Sequence, residues 1–125
     1  MAHYKILSDA EIRAALAELP DWSLKAPNIE ARFELKTFRD AIAFIVEVAI
    51  QAEVMNHHPE FHNSYNILSF SFCTHDAGMK ITDLDIETAQ HISALARRFQ
   101  SMARRFPPPR TSTARSRSSP GAARE

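Results

Sequence analysis

From Ile29 to Lys36 the chain alternates without a fault between apolar and charged residues: Ile29, Ala31, Phe33 and Leu35 against Glu30, Arg32, Glu34 and Lys36. A helix would scatter these apolar groups around its circumference. A strand, whose side chains point to opposite faces in turn, collects them on one side. A strand divided in this way belongs to a sheet with one face against a core and the other turned outward. The rest of the chain must supply strands beside it and a layer to cover its apolar face.

The neighbours are readable. Trp22-Ser23-Leu24 is short and extended, and Pro27-Asn28 provides a turn, so the two segments should pair as an antiparallel hairpin. A second alternation runs from Tyr65 to Thr74, with Leu68, Phe70 and Phe72 on one face. Ser69, Ser71 and Cys73 take the other, a paler face open to solvent or to another subunit. Pro59 to His62 should supply a short strand before it. Three segments match the capping-box pattern that begins helices: Ser8-Asp9-Ala10-Glu11, Thr37-Phe38-Arg39-Asp40 and Thr82-Asp83-Leu84-Asp85. The first helix is predicted from about Asp9 to Leu19, with Leu7 and Ile12 as its hydrophobic staple and Pro20 just past its end. The second carries an apolar stripe of Phe38, Ala41, Ile42, Ile45, Val48, Ala49, Ala52 and Met55. It should stop near Asn56 or His57, because Pro59 disfavours helical geometry at His58. The third carries Leu84, Ala89, Ile92, Leu95, Ala96, Phe99 and Met102 and should end near Arg105. The order helix–strand–strand–helix–strand–strand–helix predicts an α+β fold, a two-layer sandwich of a four-stranded antiparallel sheet with three helices on one face.

With 125 residues, 45% of them apolar, the chain has material for one core. Composition changes after Phe106, so residues 1–106 are expected to form the domain and 107–125 a disordered Pro/Ser/Arg-rich tail. The segment after Pro107 holds four Arg against one Glu, a net +3, and the part before it has 11 basic against 14 acidic residues, a net −3. A slightly acidic body argues against nucleic acid as the partner. The single Cys73 permits no internal disulfide, which suits a reducing compartment. The N-terminus shows no basic region followed by an apolar run, as a secretory leader would. The apolar stretch from Ala41 to Ala52 is too short to span a bilayer and contains Glu47. A soluble cytoplasmic protein is expected, with no membrane association.

The chemistry concentrates in Glu53-Val54-Met55-Asn56-His57-His58-Pro59, answered by Tyr65 and His75. Glu53 and His57 are four apart and should be able to hydrogen-bond at the helix end. A carboxylate on one ring nitrogen fixes the tautomer of the other. His75 follows the long strand, whose end can lie beside the end of the second helix. Three imidazoles around one cavity would provide acid, base and orienting donor near neutral pH. Blander readings stand beside this. His-His-Pro also suits a polar helix terminus, where a cation meets the negative end of the dipole. A zinc site of His57, His75 and a carboxylate lacks the His-x-x-x-His or Cys-x-x-Cys pair that would support it. His62 and His91 read as surface residues, and Asp83 and Asp85 as helix N-terminal carboxylates.

The pattern Glu53-x3-His57-His58-Pro59-x5-Tyr65-x9-His75, followed by Gly78 and Asp85, closely resembles the signature of the pterin-4a-carbinolamine dehydratases. Leu7-Ser8, Trp22, Phe33, Glu60, Tyr65-Asn66 and Thr74-His75 extend the resemblance over about residues 4 to 105. Phe61 stands where the family usually has Trp. The resemblance implies a hydro-lyase that removes water from 4a-hydroxy-tetrahydropterin to give the quinonoid dihydropterin, with no metal or other cofactor. It implies that His57, His58 and His75 are the catalytic imidazoles, with His58 as base and His57 or His75 as acid. Glu53, Pro59, Glu60, Phe61, Tyr65 and Asp85 are the implied substrate-binding residues; whether Asp83 or Asp85 is the site carboxylate stays open. It further implies a homodimer or homotetramer and a functional link to an aromatic amino-acid hydroxylase. The alternative is a non-catalytic dimerisation or assembly cofactor with the same fold.

Overall fold

The structure is a computed structural model and describes residues 3–105. Residues 107–125, expected to form the tail, lie outside the described residues. Helix α1 (Asp9–Ala17) leads into strands β1 (Trp22–Lys25) and β2 (Asn28–Glu34), followed by helix α2 (Phe38–Met55). Strands β3 (Glu60–Ser64) and β4 (Ile67–Phe72), a short 3₁₀ turn at His75–Ala77 and helix α3 (Asp83–Arg105) complete the described chain. The strands form one antiparallel sheet in the order β1-β2-β4-β3. The predicted α+β order is the observed one.

The alternation at Ile29–Leu35 does what its period demands. Ile29, Ala31, Phe33 and Leu35 are all buried, and the cross-strand partners Phe72, Phe70 and Leu68 stand on the same face. Against that face pack Ile12 of α1, Ala41, Phe44 and Val48 of α2, and Ala89, Ile92 and Ala96 of α3. Aromatic rings fill the middle, with Phe33 and Phe44 edge-to-face at 5.8 Å and Trp22 and Phe72 at 5.3 Å. The Trp22 indole N–H, carried into this apolar layer, donates to Ser93 Oγ on α3 at 2.8 Å. That bond fastens the first strand to the last helix.

Local expectations were met unevenly. The Ser8/Glu11 capping box closes in both directions, and Leu7 and Ile12 both pack on the core. Helix α1 stops at Ala17, two residues early, although Leu19 is still buried. At Thr37 only the forward half of the box forms, with Oγ1 accepting from the Asp40 N–H at 3.0 Å. Aspartate is one methylene shorter than the glutamate that reaches back at Ser8. The stripe of α2 is rotated from its predicted position. Phe44, not predicted, is fully buried, whereas Phe38, Ile42 and Ala49 are exposed. Strand β4 ends at Phe72, so Cys73 does not continue the Ser69/Ser71 face but is buried. Tyr65 lies in the β3–β4 turn with φ 56°, not in the strand.

Candidate active site

The site begins where α2 stops. Asn56 caps the helix in the left-handed conformation, φ 52° and ψ 42°, with its N–H directed to the carbonyls of Ala52 and Glu53. Asparagine tolerates this region better than most residues with a side chain. The turn takes the chain off the helical path, so His57 does not occupy the position one turn beyond Glu53. The predicted Glu53–His57 bond therefore does not form. His57 turns inward instead, its Nε2 2.7 Å from Asp85 Oδ1 and its ring edge-on to Phe72 at 6.0 Å. His58 swings back over the helix end, its Nε2 2.7 Å from Glu53 Oε1. The i,i+4 expectation assumed a helix that continued for one more residue.

Asp85 sits in the first turn of α3 and is completely buried. Its Oδ2 accepts from the Thr82 N–H and from the Thr74 hydroxyl, each at 2.8 Å. The two threonine hydroxyls lie 2.7 Å apart, and both residues are buried. Asp83 is used elsewhere. Its Oδ1 accepts from the Lys5 N–H, and its own N–H donates to the Lys5 carbonyl, which ties the N-terminal strap to the start of α3. Of the two acidic residues, Asp85 is the one joined to a histidine.

His75 opens the 3₁₀ turn just beyond β4 and is exposed. Gly78 ends that turn at φ 79°, a conformation glycine adopts without steric cost, and Met79 follows at φ 63°. Thr74 and Lys80 then bridge the base of the loop, which holds Thr74 against Thr82. His57, His58 and His75 all line one cavity of about 520 Å³ at this end of the sheet, together with Pro59 and Glu60. Asn28, Asn56, Ser71 and Thr74 are also in its wall.

Not every predicted residue reaches this cavity. Glu53 is not in the cavity wall and is joined to it only through its bond to His58. Phe61 is 53% exposed and lines a separate depression of about 500 Å³ on the open face of the sheet. Tyr65, 72% exposed, lies at the far end of the β3–β4 hairpin, about 20 Å from the site end at one strand rise per residue. The chain's own fold does not bring it to the histidines. Asn28, Asn56 and Thr82 were not foreseen as site residues. Thr82-x-x-Asp85 was visible as a cap, and the left-handed tolerance of Asn56 was a usable signal. Asn28 reaches the site only through strand pairing, which places its amide 2.7 Å from Ser71 Oγ. Cys73 also faces the cavity wall, but burial, and then the nearby Asp85 charge, push its thiol up, so it is a poor nucleophile. Among the described residues, no three His, Cys, Asp or Glu side chains gather as a metal-binding group.

Chemically, the cavity offers three imidazoles in its wall. Each of the paired rings has Nε2 committed to a carboxylate, which leaves Nδ1 to meet a ligand. Such a set can deliver a proton at one point of a bound molecule and remove one at another.

Comparison with known proteins points in one direction. Residues 5–95 match the family model described as pterin 4 alpha carbinolamine dehydratase. A protein of Opitutus terrae, provisionally named pterin-4-alpha-carbinolamine dehydratase, is 39% identical over 97 residues, covering 78% of this chain and 93% of its own. A protein of Mesorhizobium japonicum with the same provisional name is 43% identical over 95 residues, covering 74% and 95%. The crystal structure of a transcriptional coactivator/pterin dehydratase from Brucella melitensis superposes with a TM-score of 0.70 at 33% identity. It covers 74% of this chain and 99% of that one.

Proposed function

This chain belongs to the pterin-4a-carbinolamine dehydratase family, and from that premise we propose that it is a hydro-lyase converting 4a-hydroxy-tetrahydropterin to quinonoid dihydropterin. The observation that carries the reading is the convergence of His57, His58 and His75 on one cavity, two of them with a ring nitrogen tied to a carboxylate. The reaction needs two proton transfers. An imidazolium protonates the 4a hydroxyl as the C4a–O bond breaks and water departs. A neutral imidazole takes the N5 proton, and the N–H bonding pair becomes the new N5=C4a double bond. His58 serves as base and His57 or His75 as acid. The two epimers of the hydroxyl offer the leaving oxygen on opposite faces of the ring, so they use different acids. Glu60, with Pro59, bounds the cavity where the pterin is placed, and Glu53 orients His58.

On this reading the chain works in the cytoplasm in tetrahydrobiopterin recycling, on the product of an aromatic amino-acid hydroxylase. No helix among the described residues is long and apolar enough to cross a membrane. Purified protein should accelerate dehydration of a synthetic 4a-hydroxy-tetrahydropterin, followed by absorbance. His58→Ala and His75→Ala should each slow it at least about tenfold. A wild-type rate equal to that of buffer rejects the assignment.

A second reading, a self-association role, has its own support. Phe38, Ile42, Val46, Ile50 and Val54 recur every fourth residue along α2 and are 39–75% exposed. A contiguous apolar ridge of this kind favours burial against another surface. A homodimer or homotetramer formed on α2 satisfies it, and the assembly function of the alternative reading would use the same face. Val46→Glu with Ile50→Glu should shift the sedimentation of the protein to that of a monomer. Assembly unaffected by both charges rejects this use of α2.

A further inference from the structure

We infer that Thr74 is a positioning residue for the reaction, acting through Asp85 to decide which nitrogen of His57 faces the substrate. The inference rests on the dehydratase reading for its kinetic part only. The direction of each bond follows from the hydrogens available. Asp85 is wholly buried, and as a carboxylate it can only accept. The Thr82 N–H and the Thr74 hydroxyl both end on Oδ2. Having given its one hydrogen to Asp85, Thr74 must accept in its contact with Thr82, so the Thr82 hydroxyl donates across that 2.7 Å. Thr82 Oγ1 in turn accepts from the Leu84 N–H at 3.2 Å. Every donor in the chain Leu84 N–H, Thr82 O–H, Thr74 O–H therefore points toward one carboxylate, and aligned hydrogen bonds of this kind reinforce one another.

The direction has a consequence at the other oxygen. With Oδ2 occupied, Oδ1 is left for His57, and Nε2 must carry the hydrogen in the 2.7 Å contact. Neutral His57 is then held as the Nε2–H tautomer, with the lone pair on Nδ1. Nδ1 is the nitrogen that exchanges a proton with the ligand, whether His57 is receiving or delivering it. Thr74 fixes this by holding Oδ2 at 2.8 Å; without its hydroxyl that oxygen keeps the Thr82 N–H and only the long 3.4 Å approach of the Thr82 hydroxyl, a weaker restraint on rotation about χ2. The exposed His58–Glu53 contact has no such second tier among the described residues.

The test uses the full chain, labelled with ¹⁵N, and reads the ring nitrogens of His57 by long-range proton–nitrogen correlation above the imidazole titration. Wild type should show a pyrrole-like Nε2 and a pyridine-like Nδ1, and the reverse assignment overturns the inference without any variant. Thr74→Val keeps the shape and removes the hydroxyl. It should mix the two His57 tautomers and lower kcat about tenfold, with KM changed less than about twofold. Thr74→Ser restores the hydroxyl and should bring both readouts back to within about twofold of wild type. A folded Thr74→Val with wild-type nitrogen shifts and wild-type kcat overturns the inference, as does a folded Thr74→Ser that restores neither. Should wild type lack dehydratase activity, the proposed function fails, and the ring-nitrogen readout still decides the role of Thr74.

Discussion

Two histidine–carboxylate contacts stand side by side at the end of α2, each 2.7 Å long, in opposite surroundings. In His57–Asp85 the side chains are 10% and 0% exposed; in His58–Glu53 they are 57% and 79% exposed. Distance does not distinguish them, but solvent does. Around the outer pair, water screens the attraction and competes for both partners, so such contacts contribute roughly 0–1 kcal/mol. Asp85 of the inner pair is out of reach of solvent, so its oxygens must be satisfied by the protein itself. The inner contact is therefore structural and orienting at once. The outer one orients His58 and leaves stability almost untouched.

Removing partners is the direct way to break this comparison. Asp85→Ala strands the Thr82 N–H, the Thr74 hydroxyl and His57 together, and should cost about 3–5 kcal/mol in chemical denaturation. A loss under about 1 kcal/mol would mean that the inner pair is no different in kind from the outer. Next in size is the turn that separates the two rings. Asn56→Val forces a β-branched residue into the left-handed region and should cost about 1–3 kcal/mol, whereas Asn56→Gly should stay near wild type. Equal stability in both would show that the conformation is not what sends His57 and His58 apart. Glu53→Gln should change stability by less than about 0.5 kcal/mol while lowering kcat. A large stability loss there would erase the contrast.

The smallest effect belongs to another exposed pair, Lys5–Glu11, at 2.9 Å. The Lys5 ammonium bonded to it, and then the Ser8 N–H, hold the Glu11 carboxyl down at about 2 from its ordinary 4.5. A depressed carboxyl stabilises the fold above its ordinary value and loses that contribution as pH falls through about 2. Wild type and Glu11→Gln should thus differ slightly near neutrality in thermal melts and converge below about pH 2. A gap that widens in acid would contradict the sign.

What could be read from the sequence follows from how local each signal is. The Ile29–Leu35 alternation needs only its own period, and all four predicted residues are buried. The Ser8/Glu11 cap likewise involves four adjacent residues. Helix α2 defeated the same approach because it is apolar on most of its circumference. Choosing Phe44 over Phe38 and Ile42 for the core required the sheet, since the helix alone states no preference. At the site, the histidines were visible as residue types, but their partners were not. One left-handed residue, Asn56, exchanged the expected Glu53–His57 contact for Glu53–His58. Asp85 looked like one of two similar cap carboxylates until the Lys5 strap claimed Asp83. Phe61, and the binding role of Tyr65, came from the resemblance alone, and the fold of the single chain carries both residues away from the cavity.

Asp85 is the residue that closes the start of α3, accepting the Thr82 N–H while the Asp85 N–H returns to the Thr82 carbonyl at 3.1 Å. Fraying of that first turn and release of His57 are consequently a single opening event. Amide hydrogen exchange at Thr82 and Asp85 would count how often His57 is released. The waiting time between such openings is thus written into the end of a helix.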